Sequence, residues 1–569
     1  MNKSYLLFDN DIRGYKKSSN LIFFDEYSRN LLEQKKLRFF KKKSILDFDD
    51  LKKFNLNSKV LKKKASRYRK ELSKIFNSIH KKNNNEKYWG LILDRLIYLI
   101  INGILVEIKN ISKIKKFKKK IIIEKIKFDD FFIDSFDFIS KYETNLTQPY
   151  IRYCVASNLG FEDFKKKKKV LKINGDLEKK NLRLKFVLKK ILGYFIKLYS
   201  IIFKPFLIID GYIPKKKSIE LFLKSKGRIL PISSEALFSK KISLRKKKNY
   251  ELRKLIKVKE KDFIDKIFNL LIIKFLPASY LENFHHYFNQ VKSLNSLPAV
   301  GTAVSLIYND YFKFLSAEIN KRKGKIFIFQ HGGLIEHLRY DHDKTINTKY
   351  SYKVLNWKSK KNFSGFYFKQ FKKINIEDHK RSNGILIYPT RIKIKYNYNS
   401  CIYKKNHPYL NYNYSFYEKL NVDLKKKVSV KIFPNYISKK TKYIWKKKFG
   451  KNLKISGERK DNIYNHYRVV VIDDFSTPIC ELLYIGTPFI IINNELGWLK
   501  KNLIHKIKRL KKINMYFDKP HHASNFINQN YDQIPNWWKQ TTNSSIFKDF
   551  KKELIPASKE EDLLNLLKS

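Results

Sequence analysis

RVVVIDDFSTPICELLYIGTPFIIIN, from Arg468 to Asn493, decides the fold. Val469 to Ile472 is a continuous β-branched run, which suits a strand buried on both faces of a parallel sheet. Polar Asp473, Asp474, Ser476 and Thr477 follow. Pro478 fits as the first helical residue, with Thr477 as the N-cap. Gly486 stops the helix, and Thr487-Pro488 leads into a second buried strand, Phe489 to Ile492. This is half of a doubly wound α/β unit. Its functional edge is the carboxyl end of the first strand, where open parallel sheets bind ligands. Ser476, Thr477 and the free N–H groups of the first helical turn make a ready phosphate site there. Glu481 lies one turn beyond Thr477 on the same side, placed to accept hydrogen bonds from a ribose. The plainer alternative is that the hydroxyls cap the helix and Glu481 favours its positive end.

Working outward, Lys325 to Phe329 (KIFIF) reads as a buried strand that runs directly into Gln330-His331-Gly332-Gly333. The glycines permit positive φ and let a ligand approach the backbone. A histidine beside them titrates near physiological pH and can take a proton. A hydrogen-bonded histidine in a glycine turn is the alternative. Glu336, His337, Asp341, His342 and Asp343 follow. They form a group that suits a divalent ion and that loop polarity also explains; no metal is required. Ile385 to Tyr388 is another strand, leading to Pro389-Thr390-Arg391, where Arg391 can clamp a phosphate. Lys431, in VKIFPN, can do likewise.

The expected fold class is α/β: two Rossmann-like domains facing across a cleft in a GT-B-type architecture, the N-terminal half carrying extra helices. The expected division is an N-terminal acceptor-side domain with helical insertions (1–357), a polar linker (358–383), a C-terminal nucleotide-donor domain (384–520), and a helical tail (521–569) packing back on the N-terminal domain. Residues 28–130 are expected to be mostly helical. Lys165 to Asn181 reads as a charged loop or helix end, and a loop is expected to lead up to Ala299-Val300-Gly301-Thr302.

The chain has 569 residues, 43% hydrophobic and 15% aromatic, enough for more than one core. Its formal charge of +70 is extreme. The lysines are spread along the whole chain, and Lys, Asn, Ile, Phe and Tyr abound together, as A/T-rich codons dictate. A nucleic-acid surface would concentrate arginine and aromatic residues on one element; that pattern is missing, so no specific nucleic-acid partner is expected. Contact with an anionic membrane is favoured by the charge alone. Cys154, Cys401 and Cys480 make neither a disulfide framework nor a zinc pattern, which points to a reducing cytoplasm. No secretory leader is expected, because Tyr5 to Phe8 is too short for its apolar core. Trp89 to Val106 is interrupted by Asp94 and Arg95, and Leu184 to Tyr212 by five lysines. Neither gives the ~18 uninterrupted apolar residues of a span, so both read as core or interfacial helices. The expected location is cytoplasmic, peripheral on the inner face of the membrane.

With these residues in view, the chain resembles a family of transferases found with O-antigen, lipopolysaccharide and other surface-polysaccharide biosynthesis genes. The likeness rests on FQHGG (Phe329 to Gly333), YKVLNW (Tyr352 to Trp357), VVVIDDFSTPICELLYIGTPFIII (Val469 to Ile492) and NWW (Asn536 to Trp538). Weaker matches are SYLLFDND from Ser4 and YWGLILDRLIYLI (Tyr88 to Ile100). Leu334-Ile335 stands where the family has Tyr-Gly, and Lys358 where it has glycine. The HG and D-x-S-T elements are also similar to wall teichoic acid glycerophosphotransferases. The resemblance implies a glycosyltransferase-like enzyme without a cofactor. Its donor would be a nucleotide-sugar or CDP-polyol, and its acceptor a carbohydrate or lipid-linked molecule. It implies that Ser476, Thr477 and the helix N-terminus bind the donor phosphates, with Asp474, Gly332 and Gly333 shaping the loops. Arg391 and Lys431 would neutralise the leaving diphosphate. His331 would deprotonate the acceptor hydroxyl or hydrogen-bond phosphate, and Glu481 would hold the ribose. Two alternatives stand beside this reading. One is a nucleotide-sugar epimerase using the Glu336–Asp343 group; the other is a non-enzymatic basic protein that coats nucleic acid or membrane.

Overall fold

The computed structural model describes residues 4–7, 20–23, 42–45, 54–115, 121–128, 131–143, 147–171, 183–238, 248–332, 335–338, 342–357, 368, 371, 373, 383–389, 408–431, 446, 449–450, 454–456, 463–494, 496–497 and 499–555. Their strands form three sheets, and every pairing in them is parallel.

The first sheet holds β1 (Ser4–Leu7), β2 (Asn20–Phe23), β3 (Lys42–Ile45), β4 (Ile121–Phe128) and β5 (Glu162–Leu171), in the order β3-β2-β1-β4-β5. β5 overturns the reading of Lys165 onward as loop or helix end: EDFKKKKKVL pairs along β4, with a register break between Glu124 and Lys125. A run of lysines carries no period of two, so the usual strand signal is absent. Helices α1 (Phe54–His80) and α2 (Glu86–Lys115) form a hairpin between β3 and β4. The charges that interrupt α2 are internal ties. Asp94, fully buried, accepts from Arg69 at 3.0 Å and from the Tyr350 hydroxyl, and Arg95 pairs with Asp343. Among the described residues no helix is long and apolar enough to cross a membrane.

The middle sheet holds β6 (Phe206–Ile209), β7 (Ile229–Ile232), β8 (Ala299–Thr302), β9 (Lys325–Phe329) and β10 (Lys353–Leu355), in the order β10-β9-β8-β6-β7. Helix α3 (Arg183–Phe203) leads into β6, and α4 (Lys215–Lys224) joins β6 to β7. The strand order reverses between β6 and β8, which opens a ligand-binding crevice at their carboxyl ends. AVGT, which the sequence offers only as the end of a loop, is the strand beside that crevice. Gly301 is required there: an added Cβ would lie 2.7 Å from the Phe329 ring and 3.0 Å from the Phe206 ring. Gly301→Ala is expected to overpack the sheet and cost about 1–3 kcal/mol, measured as a lower unfolding midpoint. An unchanged midpoint would mean the rings can yield.

The C-terminal sheet holds β11 (Ile385–Tyr388), β12 (Val428–Lys431), β13 (Lys454–Ser456), β14 (Val469–Ile472), β15 (Phe489–Ile492) and β16 (Tyr516–Phe517), in the order β13-β12-β11-β14-β15-β16. That is the strand order of dinucleotide-binding sheets, with its switch point between β11 and β14. Alternate residues serve two cores. Val470, Ile472, Phe489 and Ile491 pack on one face, and Val469, Val471, Ile490 and Ile492 on the other. Trp357 and Phe368 bury against this sheet, their rings 4.6 Å apart.

Candidate active site

Past Ile472 the chain turns through Asp473–Phe475 into helix α5 (Thr477–Ile485). The cap is Ser476, one residue before the position the sequence suggests; Thr477 is the first helical residue and Pro478 the second. Proline is accommodated at both places, because first-turn N–H groups have no acceptor inside the helix. The Ser476 side chain makes no capping hydrogen bond, so simple capping does not account for it. Ser476 and Thr477 are both partly exposed at the helix mouth. Asp474 is buried beneath the turn. Asp473 is buried too, accepting from the Asn413 amide, while its carbonyl accepts from Asn493 at 2.8 Å. These bonds fix the turn's backbone from below. Gly486 closes α5 with φ 96°, and Trp538 donates its indole N–H to the Gly486 carbonyl at 2.7 Å. Cys480 packs inside, where burial pushes its thiol pKa up.

One turn along α5, Glu481 accepts a 2.7 Å hydrogen bond from the Tyr464 hydroxyl. The Lys431 ammonium lies 5.0 Å from the centre of the Tyr464 ring and 5.1 Å from that of Tyr388. A carboxylate, two phenol rings and an ammonium therefore converge around the β11/β14 switch point. Nothing in the local sequence of Tyr464 or Tyr388 points to this. Tyr388 is the end of β11, and Tyr464 sits in a short helical turn, Ile463–His466, just before β14. Only the strand order brings them to Glu481. Lys431, read as a phosphate clamp, is held over aromatic faces, which fixes the direction of its charge.

The facing edge belongs to the middle sheet. His331 follows β9 directly, and its ring donates to the Ala303 carbonyl at the end of β8. Burial lowers its pKa to about 4, with the Ala303 bond acting in the opposite direction. The imidazole is thus neutral at physiological pH. With one N–H committed to Ala303, the other nitrogen carries a lone pair. Tyr212, after β6, stacks on His331 with ring centres 6.5 Å apart. Gln330, given no role in the sequence reading, holds this turn. Its amide donates to the Gly332 carbonyl at 2.8 Å, and its side-chain oxygen accepts from the Trp357 backbone at 2.8 Å.

The two edges meet. A Cβ placed on Gly332 would lie 3.6 Å from Thr477 Oγ1, so the HGG turn touches the mouth of α5. Just beyond, Leu338 and Leu499 form an antiparallel bridge, and the Lys500 N–H donates to the His337 carbonyl at 2.9 Å. Gly333, Arg391 and Asp341 lie outside the described residues. Of the acidic and histidine group, Glu336 pairs with Lys344, Asp343 with Arg95, and His337 lies 3.6 Å from Glu553 of helix α6 (Ser545–Leu554). No grouping of three or more metal-ligating side chains occurs among the described residues.

No curated protein matches the chain. Among solved structures, MurG from Acinetobacter baumannii is similar over 64% of this chain and 98% of its own, at 9% identity and a TM-score of 0.33. The family profile of the LIC12162 transferases matches residues 5–566, a span that contains both facing edges. The chain belongs to the LIC12162 family of transferases.

Proposed function

We propose that this transferase moves a sugar, or a polyol phosphate, from a nucleotide-activated donor to a carbohydrate or lipid-linked acceptor of the cell surface, working at the cytoplasmic face of the membrane. The observation that carries the reading is the approach of Gly332, the residue after His331, to Thr477 at the mouth of α5. The donor diphosphate lies on the N–H groups and hydroxyls of Ser476 and Thr477, where the helix end favours negative charge. Lys431, with Arg391 assigned to the same role on sequence grounds, offsets the charge that grows as the diphosphate leaves. Glu481 accepts from the ribose hydroxyls while Tyr464 fixes its carboxylate. The acceptor oxygen attacks the donor's anomeric carbon and the bond to the diphosphate breaks. The acceptor's proton passes to the free nitrogen of His331. With a CDP-polyol the attack falls on phosphorus and CMP leaves. The separate partners of Glu336, His337 and Asp343 favour this reading over an epimerase.

The direct test is thermal unfolding with UDP, GDP, CDP, CMP and ADP, at about 0.3 M salt to screen the +70 charge. Stabilisation by one of these identifies the donor class. Equal shifts with all of them, or none, would leave the charge as the only binding force and defeat the reading. Tyr464→Phe tests the inner support. It is expected to raise the donor KM several-fold, about 1 kcal/mol for one lost hydrogen bond, with kcat nearly unchanged. A fall in kcat alone would place Tyr464 in a different role.

A further inference from the structure

Helix α3 reverses the usual arrangement of a surface helix. Among its described side chains the inward positions are small or few: the Gly193 backbone meets the Ala236 carbonyl so closely that a Cβ would come within 2.3 Å, Ser200 is fully buried, and Ile196 packs on the core. Its outward positions are the large apolar ones. Ile191, Tyr194, Phe195, Leu198, Ile201 and Ile202 are all exposed, Tyr194 by 70% and Phe195 by 61%. Their spacing of three and four residues puts them on a single stripe about 16 Å long. The stripe continues onto α4. Tyr199 packs its ring 5.9 Å from Phe222, bringing the two helices side by side, and α4 exposes Ile219 and Leu223 one turn apart. Contiguous exposed apolar surface of this kind marks an interaction site.

The rim of the patch says what covers it. Lys204 follows α3; Lys215 and Lys216 open α4; Lys224 and Lys226 close it, and all five are exposed. Glu220 pairs with Lys217 and Lys224, and it is the one acidic residue of α4. A second copy of this face would set these lysines against their own equivalents, on a chain of net charge +70. An anionic bilayer meets both halves of the pattern, taking the apolar stripe to the depth of the acyl boundary and the lysines to the headgroups. We infer that α3 and the adjoining face of α4 form a monotopic docking surface for an anionic membrane. α4 begins three residues after Tyr212, the ring stacked on His331, so the docked face leads straight to the rim of the site. The inference stands without the transfer reaction, because docking needs no donor.

Co-sedimentation with phosphatidylcholine vesicles, carrying or lacking about one-third phosphatidylglycerol, tests it at about 0.3 M salt. Two variants attack the face separately: Phe195→Glu/Ile202→Glu in α3, and Ile219→Glu/Leu223→Glu in α4. Leu255→Glu/Val422→Glu, at exposed apolar residues outside these helices, makes the same change in charge. Each patch variant is expected to lose partitioning by about tenfold or more while the control stays within about twofold. If one patch variant does not fold, the other decides. Equal losses in control and patch variants, or no loss in either, would reduce binding to bulk charge and overturn the assignment. So would a concentration-dependent dimer in sedimentation velocity that the α3 variant abolishes while vesicle binding is unchanged. Nucleotide-dependent stabilisation, measured separately, reports on the donor site whatever the vesicles show.

Discussion

Replacing His331 by glutamine is expected to lower kcat by about 10²–10⁴, while nucleotide binding at α5 persists. The expectation comes from the position of one proton. Burial brings the His331 pKa down to about 4, and the Ala303 carbonyl occupies one ring N–H. The second nitrogen is therefore an acceptor throughout the physiological range. The sign of the pH dependence follows. Protonated His331 cannot receive the acceptor's proton, so the rate rises with pH through about 4 and is level above it. An unperturbed histidine would place that limb near 6.5. So weak a base acts late, when the attacking hydroxyl has already become acidic. Steady-state rates across pH for wild type and His331→Gln read this directly. A variant that keeps both the rate and the acidic limb would show that the proton leaves by another path.

Ser476→Ala/Thr477→Ala is expected to abolish nucleotide stabilisation, and Ser476→Ala alone to leave the free protein nearly as stable as before. In wild type, a donor nucleotide at a hundred times its Kd stabilises by about 2.7 kcal/mol; the double variant should gain almost none of it. The unliganded comparison separates this role from capping. A working serine cap costs about 1 kcal/mol when removed, and the Ser476 side chain makes no cap bond. A lower midpoint without nucleotide, together with an unaltered nucleotide shift, would return these hydroxyls to a structural role.

How much of this was legible in the sequence varied with what each strand is made of. β9, β11, β14 and β15 announce themselves, because KIFIF, ILIY, VVVI and FIII are buried on both faces and need no alternation. The HGG and DDFSTP ends could be read because glycine and hydroxyl residues change the backbone rules at a fixed place. The first sheet was hidden by lysine: β5 is half lysine, and its pairing to β4 depends on backbone bonds that no side-chain pattern records. β8 was hidden by its small residues, since Gly301 is there to admit two phenylalanine rings from other strands. Tyr464 and Gln330 were missed for a further reason. Their importance lies in what they touch across the fold, Glu481 in one case and Gly332 in the other. The one-residue shift of the α5 cap reflects the tolerance of a first helical turn for proline at either position.

The bridge between Leu338 and Leu499, with Lys500 bonded to the His337 carbonyl, has a mechanical meaning. It ties the two edges together six residues beyond Gly332. Backbone bonding so close to the gap restrains the two edges from drawing straight apart. Main-chain bonding, rather than side chains alone, therefore holds the spacing between Gly332 and the mouth of α5.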